Sequence, residues 1–262
     1  MSPLRNLAKE RLQSGQLAIG LGIRQARTAE IGRVLATCGY HWAFLDMEHS
    51  ALTLDTAAQL AVACQDAGVT PIVRVPGYEH YHATHMLDAG VMGVVFPHVD
   101  SAEQAERLVS QCKYPPQGHR SVAGGIAQLD FRAVPLAEAT AIVNKETLIV
   151  VMVESPAGVR NAEAIAAVPG VDVVLIGTND LCMELGIPGQ LGHAEIKAAY
   201  RAVIEACRKH GKHPGLGGVY DETLTREYIR MGMRFIIAGS DLSMLMQAAA
   251  YRAKFLAGIA LE

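Results

Sequence analysis

The chain has 262 residues, half of them hydrophobic, and a formal net charge of −3. That suits a single α/β barrel domain and leaves no basic stripe for a nucleic acid. Five scattered cysteines (Cys38, Cys64, Cys112, Cys182, Cys207) without a C-x-x-C pair fit reduced thiols, and neither an apolar signal core at Met1-Ser2-Pro3-Leu4-Arg5 nor a run of roughly 20 apolar residues is present, so a soluble, cytoplasmic protein is expected.

A short amphipathic helix over about 4–13 opens the chain. Apolar strand-like runs then alternate with segments of helical spacing: 17–21 with 28–39, 42–46 with 54–68, 71–75 with 80–90, 93–97 with 102–113, 148–154 with 157–168, 173–177 with 194–210, 213–217 with 222–232, and 235–238 with 242–256. Eight such pairs predict one (β/α)8 barrel spanning 1–262, with an N-terminal helix and a long insertion after the fourth pair. Gly39, Gly68, Gly90 and Gly232 follow the last apolar position of their helices, where a left-handed C-terminal residue is favoured. The insertion, 114–147, holds Pro115-Pro116, Gly118 and Gly124-Gly125. Its length predicts a functional loop or an extra helix over the barrel mouth.

Chemistry in such a barrel sits at the C-terminal strand ends. Strand two runs into Asp46-Met47-Glu48-His49, strand three into Arg74, strand five into Glu154 and strand six into Asn179-Asp180. The last two strands are unbroken apolar runs ending on a carboxylate, the pattern of strands buried on both faces. Glu154 and Asp180 offer only oxygen ligands and predict a divalent cation, Mg2+, Mn2+ or Co2+, rather than structural zinc. The competing reading makes Asp180 the N-cap of a helix beginning at Leu181 and pairs Glu154 with Arg160.

His49 is a candidate general base, with Asp88 its candidate orienting carboxylate; a solvated loop histidine and a helix C-terminal turn are the alternatives. Arg74, a cation in an apolar strand, must be paired, either by substrate or by Asp46 or Glu154. Arg24 and Arg27 are placed to greet an acidic substrate tail or are surface arginines. His82 and His85, at i, i+3, resemble a metal pair at a helix start that is expected to face solvent. Gly215-Leu216-Gly217-Gly218 and Gly239-Ser240 resemble a phosphate cup or permit close backbone approach. None of the seven lysines ends a strand at the active face, which disfavours a Schiff-base aldolase. No Walker loop, dinucleotide fingerprint or nucleophile elbow is present.

Five stretches in register, Phe44-Leu45-Asp46-Met47-Glu48-His49-Ser50, Pro71-Ile72-Val73-Arg74, Tyr114-Pro115-Pro116-Gln117-Gly118-His119-Arg120, Val153-Glu154 and Ile176-Gly177-Thr178-Asn179-Asp180-Leu181, resemble the HpcH/HpaI family of metal-dependent class II pyruvate aldolases. The resemblance implies reversible retro-aldol cleavage of a 4-hydroxy-2-keto acid to pyruvate, or a close 2-keto acid, and an aldehyde. It implies metal ligation by Glu154 and Asp180, and contact of Arg74 with the keto or enolate oxygen. The substrate carboxylate would be held by the Gly177-Thr178-Asn179 turn, His49 and Asp88 would form an acid/base dyad, and Asp46 and Glu48 would lie just behind the site. A hexamer, with the C-terminal helix packed on a neighbouring barrel, is also implied. Gly22 and Met152 stand where the type member carries tryptophan and glutamine, which bears on the aldehyde accepted. An acyl-CoA lyase of a related barrel type, a phosphosugar isomerase and a non-catalytic ligand-binding barrel are the other readings.

Overall fold

Each apolar run forms a strand, and the strands close on one another in sequence order. The computed structural model describes residues 4–260; Met1–Pro3, part of the N-terminal stretch expected to lack a signal core, lie outside the described residues. The strands are β1 (Ala18–Ile23), β2 (Trp42–Asp46), β3 (Thr70–Arg74), β4 (Gly93–Phe96), β5 (Leu148–Val153), β6 (Val173–Gly177), β7 (His213–Gly217) and β8 (Phe235–Ser240), all parallel, with β8 pairing back onto β1. The helices are α1 (Leu7–Gln13), α2 (Glu30–Thr37), α3 (Leu54–Asp66), α4 (His80–Asp88), α5 (Ala102–Cys112), α6 (Leu136–Glu146), α7 (Pro156–Arg160), α8 (Ala162–Ala167), α9 (Thr178–Glu184), α10 (Ala194–His210), α11 (Glu222–Met231) and α12 (Asp241–Ala257). None of the described helices is long and apolar enough to cross a membrane.

Because successive strand residues face opposite ways, each strand feeds two cores. One set, including Val94, Val151, Val153, Val174 and Ile176, packs outward under the helices. The other fills the barrel: Trp42, Phe44, Ile72, Val95, Val150, Met152, Leu175, Phe235 and Ile237. Trp42 stacks on Phe235 at 4.0 Å and 16°. Gly20 makes the room, since a Cβ there would lie 2.1 Å from the Trp42 ring. Burying such a side chain contributes about 1.5–3 kcal/mol, so the interior is a packed plug rather than a channel. Helix α1 closes its N-terminal end with Ala8 and Leu12. The Asn6 amide fastens that helix by donating to the carbonyls of Met92 (3.1 Å) and Glu146 (2.8 Å), just ahead of β4 and β5.

Three local expectations change. The segment 114–147 contains a helix, α6, but it does not roof the mouth. Its end is anchored at the opposite rim, where the buried Lys113 ammonium donates to the carbonyls of Asn144 (2.6 Å) and Thr147 (2.7 Å), and Gln128 donates to the Val91 carbonyl (3.0 Å). The helix expected over 157–168 is divided at Asn161, which ends α7 and starts α8 and whose side-chain amide donates to the Asp100 carbonyl (2.7 Å). Between β6 and α10 a further short helix, α9, begins at the strand end itself.

Candidate active site

Following each inward row to the C-terminal rim gives the composition of the mouth. On β2 the row Trp42, Phe44 ends at Asp46; on β3 Ile72 leads to Arg74; on β5 Leu148, Val150 and Met152 lead to Glu154. The rows on β1, β6, β7 and β8 end at Gly22, Gly177, Gly217 and Gly239. A charged arc therefore faces a glycine arc. Between them lies a cavity of about 350 Å³ floored by Phe44, Met152 and Ile237.

In the charged arc, Asp46 and Arg74 are register partners on adjacent strands. The Arg74 guanidinium donates to both Asp46 oxygens (3.0 and 2.9 Å), and its Nη1 lies 2.9 Å from Glu48 Oε2. Asp46 Oδ1 also accepts the backbone N–H groups of Glu48 (3.2 Å) and His49 (3.1 Å), which folds the loop after β2 back over the strand end. Burial pushes the Asp46 carboxyl up, but the Arg74 fork and these N–H groups outweigh it and hold the pKa below its ordinary value. The same pair raises the Arg74 pKa against its own desolvation.

Glu154 is as deeply buried, at 1% exposure, yet no lysine or arginine among the described residues lies within ion-pair distance. Its Oε2 accepts the backbone N–H of His98 (2.7 Å), with the His98 ring nitrogen Nδ1 3.4 Å away. Its carboxyl lies across Gly177, where a Cβ would fall 2.3 Å from Oε1. Burial pushes its pKa up to about 7; the His98 N–H and ring pull against this, and the charges of Asp180 and Glu48 push with it. Asp180 sits inside the first turn of α9, whose N-cap is Gly177, so it is not the cap of a helix starting at Leu181. Two carboxylates on adjacent strand ends, lacking a cation, form a donor set that suits an oxygen-preferring dication. No group of three His, Cys, Asp or Glu side chains among the described residues is arranged to hold a metal ion; a two-carboxylate site leaves the remaining positions to water and substrate.

The structure brings Asp46, His49, Arg74, Thr178, Asn179 and Asp180 onto this one cavity. The buried Thr178 hydroxyl bonds the Gly217 carbonyl (2.7 Å) and the Tyr200 hydroxyl (2.6 Å), so its side chain ties β6 to β7. The first N–H groups of α9 have no intrahelical partners. His49 is exposed, with Nε2 3.8 Å from Glu48 Oε2.

Asp88 is not brought to His49 within one chain. It ends α4, at the rim opposite the strand end that carries His49, and it pairs there with Arg120 at 2.6 Å. Arg120 is buried, stacked 4.4 Å over the Tyr114 ring, and this cation fixes the carboxylate at the far end. Tyr81 packs on His85 and His82 (ring centroids 4.3 and 5.2 Å) without forming a metal cluster.

His98 is the site residue that sequence reasoning missed. It follows β4 in the left-handed region (φ 53°), with its carbonyl held by the Tyr78 hydroxyl, its N–H on Glu154 and its ring beside both Glu154 and Glu48. The available signal was positional: it stands just past the end of β4, between the strands that supply Arg74 and Glu154.

The sequence profile of the HpcH/HpaI aldolase/citrate lyase family matches residues 24–248. The chain belongs to this family. A 4-hydroxy-4-methyl-2-oxoglutarate aldolase of Hapsidospora irregularis is 36% identical over 100% of the chain and 98% of its own length. A hydroxypyruvate/pyruvate aldolase of Chromohalobacter salexigens is 36% identical over 85% of the chain and 87% of its own length. The crystal structure of an HpcH/HpaI aldolase from Desulfitobacterium hafniense superposes with a TM-score of 0.92 at 30% identity, covering 98% of each chain. As an HpcH/HpaI aldolase, the protein is a carbon–carbon lyase whose chemistry is retro-aldol cleavage.

Proposed function

We propose that the mouth cleaves a 4-hydroxy-2-oxo acid to pyruvate, or a close 2-oxo acid, and an aldehyde, and runs the reverse addition. The observation that carries this reading is the buried Glu154 carboxylate, which no lysine or arginine among the described residues pairs with, set beside the half-buried Asp180 and within reach of the Arg74 charge. Glu154 and Asp180 would hold a divalent ion, Mg2+, Mn2+ or Co2+, which when bound supplies Lewis-acid stabilisation of enolate charge.

The chain's own residues account for the rest. The backbone N–H groups at Gly177, Thr178 and Asn179 receive the substrate carboxylate at the start of α9. Arg74, held rigid by Asp46 and Glu48, points its charge at the 2-keto oxygen, where negative charge develops. His49 takes the proton from the C4 hydroxyl; the C4–O bond becomes a carbonyl as the C3–C4 bond breaks, and that electron pair moves to form the C2–C3 enolate. Returning a proton to C3 completes pyruvate. Phe44, Met152 and Ile237 keep the floor apolar.

We further propose a homo-oligomer, a hexamer by the family resemblance. In its support, α12 has no buried residue, and it exposes Leu245, Met246, Tyr251, Phe255 and Leu256. Asp88 reaches a His49 only if another copy supplies it.

Exchange of pyruvate methyl protons with deuterated water, followed by NMR, tests the reading. The exchange is expected to require a divalent cation, to stop on chelation and to be unaffected by borohydride. Exchange that survives complete metal removal would overturn it.

A further inference from the structure

We propose that Arg24 forms a subsite for a carboxylate on the aldehyde half of the substrate, so that the preferred acceptors are short carboxylate-bearing aldehydes or 2-oxo acids. This rests on the aldolase reading above and specifies which acceptors that site takes.

Two permanent cations line the cavity, Arg74 and Arg24. Arg74 already has two carboxylates as partners. Arg24 does not: its Nε and Nη2 both donate to one neutral acceptor, the His49 carbonyl (3.1 and 2.5 Å), and its approach to Asp46 is only 3.8 Å, on a carboxylate already gripped by Arg74. Its Nη1 has no partner among the described residues. A guanidinium with an open edge at a cavity rim is suited to a planar carboxylate.

Arg24 is also held in place. Its backbone N–H donates to Asp241 Oδ1 (2.9 Å), and those of Gln25 and Ala26 donate to Oδ2 (2.9 and 2.8 Å), clamping the loop after β1 onto the start of α12. The positive charge thus rides on a fixed strand end. Beneath it lies the glycine arc. Gly22, Gly239, Ser240 and Ser243 line the β1–β8 side of the cavity with no side chain larger than serine, so the space there is left to a ligand. Tyr220 borders the same space, and the charges of Arg74 and Arg24 both reach its phenol. The donor half is committed to the Glu154–Asp180 side, which leaves the acceptor half facing Arg24. A cavity of about 350 Å³ is at the small end for ligand sites and limits the acceptor to a short chain.

The test uses the full-length protein with Mn2+, pyruvate as donor, and glyoxylate or acetaldehyde as acceptor. Wild type is expected to favour glyoxylate in kcat/KM by at least tenfold. Arg24→Met should reduce the ratio of glyoxylate to acetaldehyde by roughly 10- to 100-fold, the worth of a charge-assisted hydrogen bond, mainly through a higher KM for glyoxylate. Arg24→Lys should recover part of the ratio, and circular dichroism should show both variants folded. An equal loss on both acceptors would mean that Arg24 only steadies the His49 loop, and would overturn the subsite. A wild type that exchanges pyruvate protons but shows no preference for glyoxylate would overturn the subsite and leave the aldolase reading standing. A wild type that does neither would overturn both.

Discussion

Asp46 and Glu154 are both carboxylates at a strand end, both nearly sealed from solvent at 3% and 1% exposure; Asp46 lines the cavity and Glu154 lies against Gly177, which lines it too. Their acidities nevertheless move in opposite directions: Asp46 is held below its ordinary value, whereas Glu154 is pushed up to about 7. The difference is a partner. Asp46 has the Arg74 fork and two backbone N–H groups; Glu154 has one backbone N–H, a nearby imidazole and two neighbouring carboxylates. Burial alone therefore does not define a structural acid. Asp46 is a finished ion pair that aims a guanidinium, and Glu154 is an open valence that a dication would close.

Breaking the finished pair should have the largest effect. Arg74→Met leaves Asp46 and Glu48 buried without their cation, and the loss expected from stranding a buried charge is about 3–5 kcal/mol, read as a shift in the urea midpoint. Adding Asp46→Asn to that variant should recover much of the stability and none of the aldolase turnover. A loss under about 1 kcal/mol, the worth of an exposed pair, would place Asp46 and Arg74 in solvent-like surroundings and remove the contrast with Glu154.

The placement of these residues was legible in the sequence; the contrast between the two carboxylates was not. The two carboxylates could be placed because the strands ahead of them are uniformly apolar, and Arg74 because a cation in such a strand needs a counter-ion. The direction of Arg74 was not legible: Asp46 and Glu154 were both available, and only the β2–β3 register, which sets Asp46 opposite Arg74, decides between them. His98 was missed because it contributes through a backbone N–H in a left-handed turn, which leaves no side-chain spacing to read. Asp88, expected to be buried from its apolar flanks, is instead exposed, and the buried Arg120 holds it at the rim opposite the mouth. Likewise, the length of 114–147 signalled an insertion but not the rim it packs on.

The open acid makes a pH-dependent prediction. The Glu154 carboxyl, ordinarily near 4.5, is raised to about 7 in the fold, so the folded chain keeps a proton that the unfolded chain releases. That contribution to stability is complete below about 4.5 and is lost as pH rises through about 7, amounting to roughly 3 kcal/mol. Glu154→Gln has no such proton to lose. Metal-free wild type should therefore fall behind the glutamine variant across this window in parallel thermal melts, and Mn2+ should restore wild type above pH 7 while leaving the variant unmoved. Parallel melting curves at all pH values would show that Glu154 is already neutralised by a protein group, as Asp46 is.

The smallest expected effect concerns what holds the open acid in place. Glu154 is fixed on one side by the His98 N–H and on the other by the bare backbone of Gly177. Gly177→Ala would set a methyl group 2.3 Å from Oε1 and 2.6 Å from Cγ, closer than carbon and oxygen atoms pack, and the sealed side chain has no free space to retreat into. The expected cost is about 1–3 kcal/mol, typical of overpacking, together with weaker Mn2+ binding by calorimetry, because the carboxylate must turn away from Asp180. Gly217→Ala is the control on the neighbouring strand. Its nearest contact would be the Ile176 carbonyl at 3.3 Å, a few tenths of an ångström tighter than usual, so its midpoint should shift less. Equal shifts for the two variants would mean that the glycine arc serves strand packing alone; a selective loss of Mn2+ affinity at Gly177 ties that glycine to the carboxylate it supports.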